Sequence, residues 1–198
     1  INREGEIQFP KLGPIVVAGL SFTDVKSLIT DTIDEQMMGV KASITMGALR
    51  SIRIFILGEA TLPGSYTVNS LSTMTNALFA SGGISRMGSL RNIQLKRGGQ
   101  LITTLDLYSL LLKGDTSNDA RLLPGDVIFI PPVGKTVGVS GEVRRPAIYE
   151  LNKETTAAQV VSLAGGFLGT AYPQASRIER INNNGERTLV DVDLKTQH

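Results

Sequence analysis

The tightest constraint on this chain is a pattern that it carries twice. Residues 58–83 read GEATLPGSYTVNSLSTMTNALFASGG, and residues 141–166 read GEVRRPAIYELNKETTAAQVVSLAGG. Gly58, Glu59, Pro63, Tyr66, Gly82 and Gly83 meet Gly141, Glu142, Pro146, Tyr149, Gly165 and Gly166 at a constant offset of 83 with no gap. Two copies at a spacing well above the roughly 20 to 50 residues of a solenoid make a tandem pair of small domains rather than an array.

Each copy has a local logic. An apolar strand runs into Gly-Glu, a turn containing proline leads to a short strand centred on tyrosine, and a helical stretch ends at Gly-Gly, so the order is β, β, α. In the first copy Ile52, Ile54, Phe55, Ile56 and Leu57 make the first strand and residues 65–68 the second, while Met74, Ala77 and Leu78 sit at helical spacing. Gly82 suits the left-handed position just past a helix end. The register outlasts the glycines, because both copies continue into a strand ending in arginine, with Arg97 and Arg180 still 83 apart.

GEATLPGSY, the helix closing on SGG, and RLLPGDVIFIPP at residues 121–132, with its Gly125 and Asp126, resemble an SLBB domain, a β-grasp module first proposed to bind soluble ligands. Two such copies behind residues 5–29, GEIQFPKLGPIVVAGLSFTDVKSLI, are similar to the periplasmic part of outer-membrane polysaccharide export proteins. The resemblance implies an α+β chain of tandem β-grasp-like domains preceded by a ββαβ export segment. On this reading residues 1–49 are the C-terminal part of a polysaccharide export domain, 50–133 the first SLBB domain and 134–198 the second, which stops before a counterpart of the LPGD strand. Function follows by the same resemblance: part of an oligomeric conduit for a capsular or exopolysaccharide, periplasmic and attached to the outer membrane in the full-length protein. The implied partners are further copies in a ring, the exported polysaccharide, and an inner-membrane polysaccharide copolymerase or tyrosine kinase. A monomeric soluble carbohydrate-binding module is the alternative.

Composition bears on this mainly by exclusion. The 20 basic and 18 acidic residues leave a net charge of +2 with neither sign in a long block, so no nucleic-acid footprint is present in the sequence. Zero cysteines remove disulfides, thiolate metal sites and cysteine nucleophiles. No run approaches the roughly 18 apolar residues of a membrane span. Units of roughly 60 to 80 residues bury only modest cores, so contacts between units are expected to share the work of stability.

In chain order, short strands at residues 5–10 and 14–18 flank a turn at Lys11, Leu12 and Gly13. Ser21 and Asp24 then form a capping box for a helix presenting Val25, Leu28, Ile29, Ile33 and Met37 on one face and ending at Gly39. Val40, Ala42, Ile44 and Met46 alternate with polar residues and read as a strand. Asp106 caps a short helix stopped by Gly114 before a last strand at residues 126–130. The second copy has a strand at 137–139, a helix at 156–164, and a hairpin turn at 182–185 before Leu189, Val190, Val192 and Leu194.

Catalysis has little to work with. The only histidine is His198, and no serine sits in a nucleophile elbow, so neither an enzyme nor a cofactor is expected. Asp191 and Asp193 share a strand face, and Asp115, Asp119 and Asp126 lie near one loop; solvated carboxylates are the plainer reading of both than a cation site. The Gly-Gly pairs follow a helix, the wrong polarity for a phosphate loop, and read as caps, while the Pro and Tyr pairs read as turn and core. Glu59 and Glu142 are candidates for a polar contact between strands or subunits. With six Phe, four Tyr and no Trp, stacking platforms for a tight sugar site are scarce.

Overall fold

The computed structural model describes every residue except 3, 11, 38, 48, 49, 183 and 196–198. The expected turn residue Lys11, one residue of the 182–185 turn, and His198 therefore lie outside the described residues. The chain divides into two compact units, Ile1–Arg50 and Ser51–His198.

In the first unit, β1 (Glu6–Phe9) and β2 (Gly13–Val16) pair antiparallel, with Glu6 opposite Val16 and Phe9 opposite Gly13. Helix α1 (Phe22–Gln36) starts at the expected capping box: Asp24 N–H donates to Ser21 Oγ at 3.2 Å and Ser21 N–H donates to Asp24 Oδ2 at 3.3 Å. Its apolar stripe delivers Ile29 and Ile33 to Ile15 and Val17, the small core of this unit. The strand expected at residues 40–46 does not form. A strand is held by a neighbouring ladder, and β1 and β2 close as a two-stranded sheet that takes no third member among the described residues. Ile44 still packs on the core, whereas Val40 and Met46 are exposed, so the segment is ββα followed by an irregular stretch rather than ββαβ.

The second unit holds both copies of the repeat. The first comprises β3 (Ser51–Gly58), β4 (Gly64–Asn69), α2 (Met74–Ala80), β5 (Ile93–Arg97), β6 (Gln100–Leu105), α3 (Leu107–Lys113) and β7 (Val127–Ile130). These strands form one sheet in the order β4-β3-β7-β5-β6, in which β7 runs parallel to β3 and antiparallel to β5. Period-2 alternation turns Ile52, Ile54 and Ile56 inward with Leu95, Ile128 and Ile130, and α2 covers that face with Met74, Ala77 and Leu78. Each fully buried side chain of this size contributes about 1.5–3 kcal/mol, which makes this the principal core.

The second copy comprises β8 (Thr136–Val139), β9 (Ala147–Glu150), α4 (Ala157–Leu163), a 3-10 turn (Pro173–Ala175), β10 (Ser176–Ile181) and β11 (Arg187–Val192). Its pairing repeats the first copy closely. Ile93 faces Leu105 across β5–β6, and Ser176 faces Val192 across β10–β11, the same positions once a four-residue difference in the connecting loop is allowed for. Leu107 N–H donates to Leu90 O at 2.8 Å, and Leu194 N–H to Pro173 O at 3.1 Å. The difference lies in the middle of the sheet. No counterpart of β7 occurs among the described residues, and β8–β9 and β10–β11 stand as separate two-stranded sheets. Val137 and Ile178 accordingly remain half-buried, where their equivalents Ile54 and Leu95 are sealed.

Candidate functional site: the repeated motif and the seam between its copies

The repeated residues build the same local structure twice. Gly82 N–H donates to Phe79 O at 3.1 Å and Gly83 N–H to Leu78 O at 2.8 Å; Gly165 and Gly166 repeat this with Ser162 O at 3.0 Å and Val161 O at 2.9 Å. This paired bonding is the Schellman closure of a helix, and it sets Gly82 at φ +76° and Gly165 at φ +84°, a region closed to most side chains. Gly83 and Gly166 also accept backbone bonds, from Thr61 and Arg144 at 3.0 Å each. Tyr66 OH donates to Leu62 O at 2.5 Å and Tyr149 OH to Arg145 O at 2.6 Å, so in both copies the ring anchors the backbone just ahead of Pro63 or Pro146. Gly58 is needed for a second reason: a Cβ there would lie 2.1 Å from Ile130 O, where β3 meets the end of β7.

Glu59 and Glu142 both face the loop after the helix. Glu59 Oε2 accepts from Ser85 Oγ at 3.1 Å and Glu142 Oε2 from Thr170 Oγ1 at 2.5 Å, contacts within each copy. Gly125 N–H donates to Arg53 O at 2.8 Å, which seats the turn leading into β7. Asp126 is fully buried and anchors that turn: its carboxylate accepts from Leu123 N–H at 2.8 Å and, in bidentate fashion, from Arg97 Nε at 2.8 Å and Nη2 at 2.9 Å. Those hydrogen bonds hold the Arg97 guanidinium above its ordinary pKa against the effect of burial. The three loop aspartates are not brought together. Asp119 accepts from Thr75 N–H at 3.0 Å and Asp115 from Ser117 N–H at 2.9 Å, each at its own place. On the exposed hairpin Asp191 pairs with Arg177 at 3.1 Å, and Asp193 Oδ1 accepts from Lys195 N–H at 2.8 Å.

A second constellation was not visible in the repeat, because it consists of residues that the copies do not share. Glu150, at the end of β9, is buried and accepts from Ser89 Oγ at 2.7 Å, Leu90 N–H at 2.8 Å and Gly134 N–H at 3.0 Å. Arg91 donates to Asp106 Oδ2 through Nε at 3.1 Å and Nη2 at 3.0 Å, and through Nη1 to Glu154 Oε2 at 2.8 Å and Glu150 O at 3.1 Å. Its guanidinium lies 4.7 Å from the centre of the Tyr108 ring, which meets Tyr149 edge-on at 6.2 Å. Burial opposes the charge on Arg91, but the hydrogen bonds and attraction of Asp106 and Glu154 outweigh it and raise the pKa. For Glu154, desolvation likewise pushes the pKa up, while hydrogen bonds from Asn152 N–H and Arg91 overcome it and hold the acid below its ordinary range. The signal in the sequence is divergence: Glu150 stands where the first copy has Thr67, Ser89 where the second has Tyr172, and Arg91 where the second has Gln174.

The seam joins the two copies through groups that are buried and already partnered: Glu150 with Ser89, and Arg91 with Asp106 and Glu154. Among the described residues there is no group of three or more potential metal ligands, and no helix is long and apolar enough to cross a membrane.

The repeat, its caps and its β-grasp-like sheet define a protein of tandem SLBB domains, and SLBB domain models match residues 52–130 and 136–191. The chain is 29% identical over 99% of its length to the EPS I polysaccharide export outer membrane protein EpsA of Ralstonia solanacearum. It is 24% identical over 98% of its length to the polysialic acid transport protein KpsD of Escherichia coli. Residues 52–130 and 136–191 are thus SLBB domains, in a chain that is similar along nearly its whole length to polysaccharide export proteins. It spans 53% of the length of the first of these relatives and 38% of the second.

Proposed function

We propose that the chain is the periplasmic portion of an outer-membrane polysaccharide export protein and forms part of an oligomeric conduit for a capsular or exopolysaccharide. The observation that carries this is the seam: two SLBB domains are locked into one unit by buried, fully partnered polar groups, in a chain similar along nearly its whole length to export proteins. A rigid two-domain unit suits the wall of a passage, where identical heterologous contacts close into a ring. The same reading takes residues 1–49 as the end of a polysaccharide export domain and 50–133 and 134–198 as the two SLBB domains. It takes the repeated Gly, Pro and Tyr residues, with Gly125 and Asp126, as structural rather than ligand-binding, supported by the backbone partners of the helix-closing glycines, both tyrosines, Gly125 and Asp126. Catalysis is not part of this function. The working partners are further copies of the protein, the polymer, and an inner-membrane copolymerase or tyrosine kinase.

Mass measurement of the full-length protein extracted from membranes tests the conduit: a closed oligomer of defined size is expected. A folded monomer that binds sugar tightly would replace the conduit by a carbohydrate-binding module.

A further inference from the structure

Beside the seam, α3 of the first copy and α4 of the second border an open hollow of about 420 Å³, within the range of ligand sites. Three cations from three different elements line it: Lys113 at the end of α3, Arg145 ahead of β9, and Lys153 in the loop before α4. All three side chains are exposed. The one acid in the lining, Glu154, is already paired with Arg91 at 2.8 Å. Asp115, close to Lys113 in sequence, accepts from Ser117 N–H at 2.9 Å; that bond and, more weakly, the charge of Lys113 hold its carboxyl below the ordinary range, so Lys113 is the cation of the three with an acid in its neighbourhood.

The first copy serves as an internal control. The positions of Arg145, Lys153, Gln159 and Ser162 are held there by Leu62, Ser70, Asn76 and Phe79, so the second copy has gained two cations and lost an aromatic ring along this wall. The changes are accommodated structurally. The Arg145 guanidinium donates to Leu163 O at 3.1 Å and lies against Gly165, where a Cβ would come within 3.3 Å of its Cζ. The carboxamide oxygen of Gln159 is taken by Thr155 N–H at 2.8 Å and Thr156 N–H at 3.2 Å, which leaves the amide end to donate. The hollow therefore offers cations and donors beside the apolar Leu112 and Leu163. A ligand that complements it carries an anionic acceptor group on a ring with an apolar face.

We propose that this hollow is a weak subsite for a carboxylate-bearing sugar of an acidic polysaccharide. The proposal rests on the export reading and adds the polymer class to it. Exposed cations in water hold a carboxylate loosely, and a polymer in transit needs contacts that release it, so dissociation constants on the order of 1 mM are expected, weakening as salt rises.

The test titrates the full-length protein with tetragalacturonate and with neutral maltotetraose, following binding by calorimetry or NMR at low salt. Only the charged tetramer should bind, and Arg145→Leu with Lys153→Ser, which installs the residues of the first copy, should weaken it by about tenfold. Lys153→Ser alone, at an exposed side chain, should weaken it by about threefold and keeps the test open if the double variant misfolds. Equal binding of both tetramers, no binding of either, or variants that bind as the parent protein does would overturn the subsite. Export in cells separates the two ideas. If deletion abolishes surface polymer and the double variant restores it fully, at the parent rate, the subsite fails and the export function stands; surface polymer unaffected by deletion removes the export function itself.

Discussion

Ser89 donates its hydroxyl to Glu150 at 2.7 Å, joining the first copy of the repeat to the second through a buried acid that has no equivalent in the first copy. Three donors converge on that carboxylate, so Glu150→Ala leaves Ser89 Oγ, Leu90 N–H and Gly134 N–H without their partner. The expected loss is about 3 kcal/mol, the usual cost of stranding buried polar groups. Urea denaturation checks it. A transition that also splits in two would show the copies unfolding separately, whereas an unchanged midpoint would mean that the seam contributes no stability. Arg53→Ala, which removes one exposed hydrogen bond to Ser65, is the control and should cost less than about 0.5 kcal/mol.

Asp126 ties the turn ahead of β7 to Arg97 on β5, and β7 is the strand that joins β3 to β5. Asp126→Ala should cost about 3 kcal/mol, toward the lower end for a broken buried pair because Arg97 retains access to water. Arg97→Ala strands the carboxylate instead and should cost at least as much. Thermal melting of both variants decides, and a loss under about 1 kcal/mol in either would remove the anchoring role.

The two helix-closing glycines should respond differently to alanine. At Gly82 a Cβ meets only ordinary contacts, Thr61 Cγ2 at 3.6 Å, so Gly82→Ala should cost about 1 kcal/mol from its positive φ alone. At Gly165 the same strain is joined by crowding from Arg144 Cβ at 3.2 Å and the Arg145 guanidinium at 3.3 Å, so Gly165→Ala should cost more. Chemical denaturation gives the order, and the reverse order would contradict the packing at Gly165.

Glu154 also makes the seam sensitive to acid. Its folded pKa lies below the ordinary carboxylate value, so its contribution is complete above the unfolded pKa and fades as pH falls through the folded one. Stability should hold from neutral pH to about pH 5 and then decline, and Glu154→Gln should flatten the part of that decline due to this group. A variant with the parent's full pH dependence below pH 5 would show that Glu154 does not couple to folding.

How legible this chain was depends on whether a feature repeats, alternates or crosses between elements. The capping box at Ser21 and Asp24, the helix ends at Gly82 and Gly165, and the Asp106 cap of α3 are local, and local residue choice reveals them. The strand expected at residues 40–46 shows the limit of alternation: a period of two marks a chain fit to pair, but pairing is decided by long-range contacts, and β1–β2 takes up no third strand among the described residues. The central place of β7 was hidden because strand order is set by long-range contacts. Arg91, Tyr108 and Glu150 escaped for a related reason: attention to what the copies share passes over the residues by which they bind each other.

The most direct measurement is the location of the polymer in cells that lack this protein. Deletion should leave polysaccharide synthesised but held in the periplasm, with the surface fraction restored by the intact gene and only weakly by a Glu150→Ala variant whose seam is broken. Polymer that reaches the surface at the normal level without the protein would contradict an export function.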